Sequence, residues 1–149
     1  VYVLHDQTPT PEDFVRLRAC AGLSPRSIEA ARRGLPRSWA SVIATIDGGP
    51  VVGMGRLIGD GSLALQVVDM AVEPEHQRRG IGRRILTRLL ELAAQSEPDV
   101  YLSLVADPPG QALYRELGFT GFAPSIGMEL YGPSTSPALI TRSSTPPGQ

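Results

Sequence analysis

Two glycines stand where a helix should begin. Residues 75–86, Glu-His-Gln-Arg-Arg-Gly-Ile-Gly-Arg-Arg-Ile-Leu, set Gly80 and Gly82 among Arg78, Arg79 and Arg83, directly ahead of an apolar helical stripe. Glycine inside a helix costs up to about 1 kcal/mol relative to alanine, so the backbone itself is expected to have a task here. The first turn of a helix presents amide N–H groups without internal partners at the positive end of its dipole, and an anion placed there is held by the main chain. The missing side chains at Gly80 and Gly82 let a diphosphate approach closely, and the guanidiniums of Arg78, Arg79 and Arg83 add charge-assisted contacts. The stretch lacks the Gly-Lys-Ser/Thr of a Walker loop, and the sixth position counted from Gly80 is Ile85, so it is not a G-x-G-x-x-G fingerprint either.

A second chemical feature is Asp69, a carboxylate in the otherwise apolar run Leu63–Val72. Burying it alone is costly, so it should meet a cation, a donor or water. Glu73, at the end of the same run, is a weaker candidate for proton transfer and is as well explained by solvation. His76 is expected to face solvent, His5 to sit at a strand edge, and Cys20, between Ala19 and Ala21, to be a small buried hydrophobe. Arg32, Arg33 and Arg37 read as a solvated helix face. With two histidines and one cysteine in the chain, no metal site and no internal disulfide framework is expected.

The elements that must position these residues follow from the periodicity. Residues 1–6 read as a strand, and residues 10–23 as a helix with Thr10 as cap and Pro11, Glu12 and Asp13 in its first turn. Residues 24–35 read as a second helix capped by Ser24. The β-branched run 38–46 and the return strand 50–59 meet at Asp47-Gly48-Gly49, a hairpin signal. Residues 63–74 read as a strand apolar on both faces. The helix 81–95 carries Ile81, Ile85 and Leu89 on one face. A strand at 99–107, a helix at 109–119 and a last strand at 125–131 complete the order βααβββαβαβ. The hairpins make the central strands antiparallel, while the crossover through helix 81–95 makes the strand near 100 parallel to the strand near 66. The result is an α/β fold with a mixed sheet, one domain over 1–131, and a Pro/Ser-rich tail over 132–149 expected to be disordered.

Bulk properties agree. The 149 residues suit a single core, 42% hydrophobic content is ordinary for a globular chain, and a net charge of −1 favours neither nucleic acid nor an anionic membrane. All 14 cationic side chains are arginine. No apolar run approaches a membrane span and no signal-peptide pattern opens the chain, so the cytoplasm is the expected compartment. The chain opens on Val1 rather than methionine, which leaves its natural start open.

Gln77-Arg78-Arg79-Gly80-Ile81-Gly82 resembles the Q/R-x-x-G-x-G/A motif of the GNAT superfamily of N-acetyltransferases, and Ala112–Phe119, ALYRELGF, resembles its later L-Y-x-x-x-G-F helix. The resemblance spans about residues 1–131. It implies a three-layer fold whose central mixed sheet has six to seven strands flanked by about four helices. It also implies that acetyl-CoA is the co-substrate, its pyrophosphate on residues 77–83. Strands 67–72 and 100–105 should splay apart, leaving backbone groups of Met70, Ala71 and Val72 to bind the pantetheine arm. The sequence departs from the family just before the second motif, with Asp107 where asparagine is frequent and Gly110 where alanine is frequent.

Acetyl transfer requires a neutral amine, yet with a pKa near 10.4 only about one alkyl amine in a few thousand is neutral at pH 7. Asp69, Glu73 or a water chain could drain the proton. The N–H of Val72 could stabilise the oxyanion. Tyr114, a phenol near pKa 10, could protonate the departing thiolate, the role the family resemblance implies; packing beside Leu113 and Leu117 is the alternative. Phe14, Trp39, Met54 and Met128 could wall an acceptor pocket for a primary amine on a small molecule or peptide. A homodimer fits the family. A catalytically silent acyl-CoA sensor and a binder of another phosphate ligand remain as other readings.

Overall fold

Asp47 and Gly48, at φ 50° and 69°, close the first hairpin with the paired left-handed residues that suit right-twisted strands. They join β2 (Ala40–Ile46) to β3 (Val51–Gly59), and β4 (Ala64–Val72) follows. A computed structural model describes residues 1–132. The remaining elements are β1 (Tyr2–His5), α1 (Pro11–Cys20), α2 (Ile28–Gly34), α3 (Ile81–Ser96), β5 (Tyr101–Leu104) and α4 (Gln111–Glu116). The chain divides into two compact units, Val1–Phe119 and the segment beginning at Thr120. The first unit holds all of these elements.

The sheet order is β1-β2-β3-β4-β5. The first four strands are antiparallel, and β4 pairs in parallel with β5 through Gln66 opposite Ser103, as the crossover requires. Alternation sends Val42 and Ala44 to one face and Ile43 to the other. On the first face α3 seats Ile81, Ile85, Leu89 and Ala93 among Val52, Leu57, Leu65 and Val67. Each large member of that stripe contributes roughly 1.5–3 kcal/mol of burial. On the opposite face Phe14 and Leu17 of α1 and Ala31 of α2 pack with Ile43, Met54 and Ala71. This gives helix, sheet and helix in three layers.

Two expectations change. Among the described residues the sheet has five strands rather than six or seven, and residues 125–131 form no strand and are exposed. Alternating apolar residues make a strand possible, but a strand exists only through its backbone partners. The second helix starts three residues late: Ser27, not Ser24, accepts the Ala30 N–H as cap, while Ser24 is claimed by Arg18. Thr10 caps α1 as expected, its hydroxyl accepting the Asp13 N–H at 3.1 Å. The tail beyond Gly132 lies outside the described residues.

Candidate active site

The site begins at a bulge. The β3–β4 register passes from Arg56 opposite Val68 to Met54 opposite Ala71, so Gly55 faces both Asp69 and Met70. Asp69 absorbs the extra residue with φ 56°. The parallel pairing of β4 with β5 ends at Val67–Leu104, so Val68–Val72 stay on β3 after β5 has left. Glu73 N–H donates to Val52 O at 2.9 Å. By the alternation of an antiparallel ladder, Met70 and Val72 therefore turn their N–H and C=O groups away from β3, into the opening. Ala71 does not: it is paired toward Met54 on β3, so its backbone falls outside the expected pantetheine set.

The loop that follows leads directly to the helix start. Pro74–His76 make one 3-10 turn. The Gln77 side-chain amide then donates to Val72 O at 2.9 Å, which ties the loop to the last residue of the opening. Arg78 and Gly80 adopt φ 62° and 78°. Gly80 is the N-cap of α3 and no side chain caps that end, so the amides of Ile81, Gly82 and Arg83 face outward. Nothing lies within 4 Å of where a Gly80 Cβ would project. A Cβ on Gly82 would meet only ordinary contacts, Leu113 Cδ2 at 3.7 Å and Val72 Cγ2 at 4.0 Å. Gly80 is thus required by the backbone, whereas Gly82 leaves room that the chain itself does not use. The Ile81 side chain is in the core, so its contribution at the surface is its amide. Arg78 and Arg79 are exposed, but Arg83 pairs with Glu116 of α4 rather than standing open to a phosphate.

Leu113, against Gly82, brings α4 to the same place. One residue on, the half-buried Tyr114 ring stands edge-on to Phe119 with centroids 6.2 Å apart. A Cβ at Gly110 would lie 2.8 Å from Tyr114 Cε2, so the glycine at that departure from the family pattern makes room for the ring. Burial pushes the phenol pKa up, and the Asp107 carboxylate adds to the rise. Tyr114 stays protonated throughout the neutral range.

On the other face, Asp69 is gripped twice. Arg18 Nη1 holds one carboxylate oxygen, and Arg56 donates to the other through Nε at 2.7 Å. Arg56 Nη2 lies 2.6 Å from that same oxygen. Arg56 also reaches the Ser38 hydroxyl, and Arg18 the Ser24 carbonyl and hydroxyl. The three charged side chains are 8–13% exposed. Beside them lies a cavity of about 300 Å³ between α2 and the sheet, its walls including Phe14, Leu35, Ile58, Val68, Arg56 and Asp69.

Residues 38–121 match the family model described as an acetyltransferase (GNAT) domain, more than half of the chain. The chain belongs to the GNAT acetyltransferase family. Similarity extends to a Staphylococcus aureus protein of unknown function whose crystal structure is described as a "Probable Acetyltransferase". It is 37% identical with a TM-score of 0.83, over 88% of this chain and 99% of that one. Serotonin N-acetyltransferase 2 of rice (Oryza sativa subsp. japonica) is 34% identical over 76% of this chain and 58% of its own length. Mycothiol acetyltransferase of Geodermatophilus obscurus is 36% identical over 63% of this chain and 31% of its own. The chain therefore spans from about a third to three fifths of those curated relatives.

GNAT proteins take acetyl-CoA as co-substrate, and the residues here fit its pyrophosphate: an uncapped helix start, open space over Gly80, and two exposed arginines. Of the acceptor walls named from the sequence, the three in the first unit do not converge. Phe14 lines the cavity. Met54 is fully buried in the core beneath α1. Trp39 packs with the α3-side core and fills the space beside Gly61, so it belongs to the opposite layer. Met128 is exposed in the segment beyond Thr120. Hydrophobicity places a side chain in some core, but not on a given face of the sheet.

Other placements also differ. His76 does not face solvent: its Nδ1 is 2.9 Å from the Tyr2 hydroxyl and its Nε2 3.7 Å from Glu73. Glu73 is held by Arg16 of α1. Cys20 is exposed rather than buried, its thiol directed to Leu17 O at 3.4 Å and its pKa pushed up by desolvation and by Glu73. Arg18 and Arg56, the partners of Asp69, are the site residues that sequence reading missed. Their signal was weak but present: Arg56 is a lone charge within β3, and Asp69 required a cation.

Proposed function

We propose that this domain transfers the acetyl group of acetyl-CoA to a primary amine by direct attack within a ternary complex. One observation carries the reading. The uncapped turn of α3, the amide-lined opening at Met70 and Val72, and the helix bearing Tyr114 meet around Gly82, where Val72 and Leu113 both lie within 4.0 Å of the position of a side chain. A diphosphate on the Ile81–Arg83 amides directs the rest of the coenzyme along β4.

The co-substrate supplies a thioester. The neutral amine adds to its carbonyl carbon, the C–N bond forms and the C–S bond breaks. Backbone N–H groups at Met70 and Val72 face the opening and suit the developing oxyanion. Tyr114, protonated and half-buried, gives its proton to the departing sulfur. Asp69 and Glu73 are each engaged by arginine, which favours water as the acceptor of the amine proton. The bulge at Asp69 then belongs to positioning: it turns Met70 and Val72 toward the opening.

The test is thiol release from acetyl-CoA across a panel of amines, with wild type and Tyr114→Phe. Amine-dependent thiol release supports transfer. Tight acetyl-CoA binding with no release for any amine supports a silent acyl-CoA sensor instead.

A further inference from the structure

We infer that the acceptor is a small amine bearing a carboxylate on an apolar body, bound in the cavity beneath α2 with its anion against Arg56. This inference rests on the transfer reading for the chemistry, but on separate residues for the binding.

The observation is an unmatched buried charge. Arg18 and Arg56 both form their ion pairs with Asp69, and among the described residues those pairs go to no other carboxylate. Two guanidiniums against one carboxylate leave one positive charge over, in side chains only 8–13% exposed. A buried charge without a counter-ion is costly. The Phe14 ring offsets part of it, lying 5.7 Å from the Arg18 guanidinium and 5.6 Å from that of Arg56. Ring faces are weak partners compared with an anion.

The excess charge borders the cavity, because Arg56 and Asp69 form part of its wall. Arg26 adds a further cation at the rim, while Phe14, Leu35, Ile58 and Val68 make the remainder apolar. A volume of about 300 Å³ is at the lower end for small-molecule sites, too small for a folded partner. The position suits an acceptor: Asp69, on the wall, immediately precedes Met70, whose amide faces the opening. Arg56 gives its Nε and one Nη2 hydrogen to Asp69 and one Nη1 hydrogen to Ser38, which leaves one hydrogen on each terminal nitrogen for a carboxylate. A polycationic acceptor meets the wrong sign here, since the Asp69 carboxylate on the wall is already shared by two arginines.

The experiment compares matched amines that differ only in the anion: 4-(aminomethyl)benzoate against benzylamine, and phenylalanine against phenethylamine. 4-(Aminomethyl)phenylphosphonate serves as the arm that separates a carboxylate from a phosphate-type anion. Wild type should favour at least one carboxylate by 10-fold or more in kcat/KM, and the ratio should fall as salt is raised. Arg56→Gln should collapse that ratio. Because Arg56 also supports Asp69, Arg26→Gln at the exposed rim is the second variant and should lower the ratio 2- to 5-fold, with Arg26→Lys restoring part of it. Equal or better use of the neutral amines overturns the inference and leaves acetyl transfer standing, and a preference for the phosphonate overturns the carboxylate assignment. If no amine is acetylated, the transfer reading fails and calorimetry decides the inference separately: N-acetylated 4-(aminomethyl)benzoate should bind at least 10-fold tighter than N-acetylbenzylamine, and equal binding overturns it.

Discussion

The Gln77 side chain reaches back across the loop and donates to the Val72 carbonyl at 2.9 Å. The first residue of the glycine motif therefore ties the loop before α3 to the last residue of β4. Gln77→Ala removes one hydrogen bond of about 0.5–1.5 kcal/mol. Acetyl-CoA should bind about 3- to 10-fold more weakly by calorimetry. Unchanged affinity would show that the tie does not order the loop.

The two glycines should respond differently. Gly80, at φ 78°, tolerates no L side chain without strain of about 1–2 kcal/mol, so Gly80→Ala should lower the urea midpoint. At Gly82 the nearest atoms to a Cβ are at 3.7 and 4.0 Å. Gly82→Val should keep most of the stability and lose coenzyme affinity, because its methyl groups crowd the amides of the first turn. Equal loss of stability at both positions would contradict this division.

Tyr114→Phe should reduce kcat by about 10²-fold, the usual scale for a general acid, with little change in acetyl-CoA affinity. The phenol pKa is raised by burial and Asp107, so folding favours the neutral form. As pH rises past the unfolded value near 10, the unfolded chain loses this proton first. Stability should then fall toward the folded pKa. Tyr114→Phe should make that alkaline loss shallower, which pH-dependent thermal melts will read; an identical alkaline limb would refute the assignment.

Gly110→Ala sets a Cβ 2.8 Å from the Tyr114 ring. The ring sits on a movable side chain, so the fold should survive with a stability change within about 1 kcal/mol. Turnover should fall toward that of Tyr114→Phe. Full activity would mean that the ring position tolerates displacement.

Asp69→Asn separates a base from a structural carboxylate. Leaving Arg18 and Arg56 without their shared partner should cost about 3–5 kcal/mol in urea unfolding. If the variant instead melts like wild type and loses only turnover, Asp69 is the base.

Local physics was legible in the linear chain. The 3.6-residue stripe of Ile81, Ile85 and Leu89, the Asp47-Gly48 turn and the Thr10 cap each depend on neighbours within a few residues, so composition and spacing were enough for these elements and for the order as far as α4. The helix start at Gly80 was legible for the same reason, since an uncapped turn is a property of its own backbone. The sheet's width, the layer in which Trp39 lies, and the partners of Asp69 were not. Residues 125–131 alternate like a strand, but strand formation depends on a backbone partner elsewhere. Arg18 and Asp69 are 51 positions apart, and only the packing of α1 against the β4 bulge brings their charges together. The sequence required a counter-ion for Asp69; tertiary structure supplied two, and left a positive charge facing the cavity.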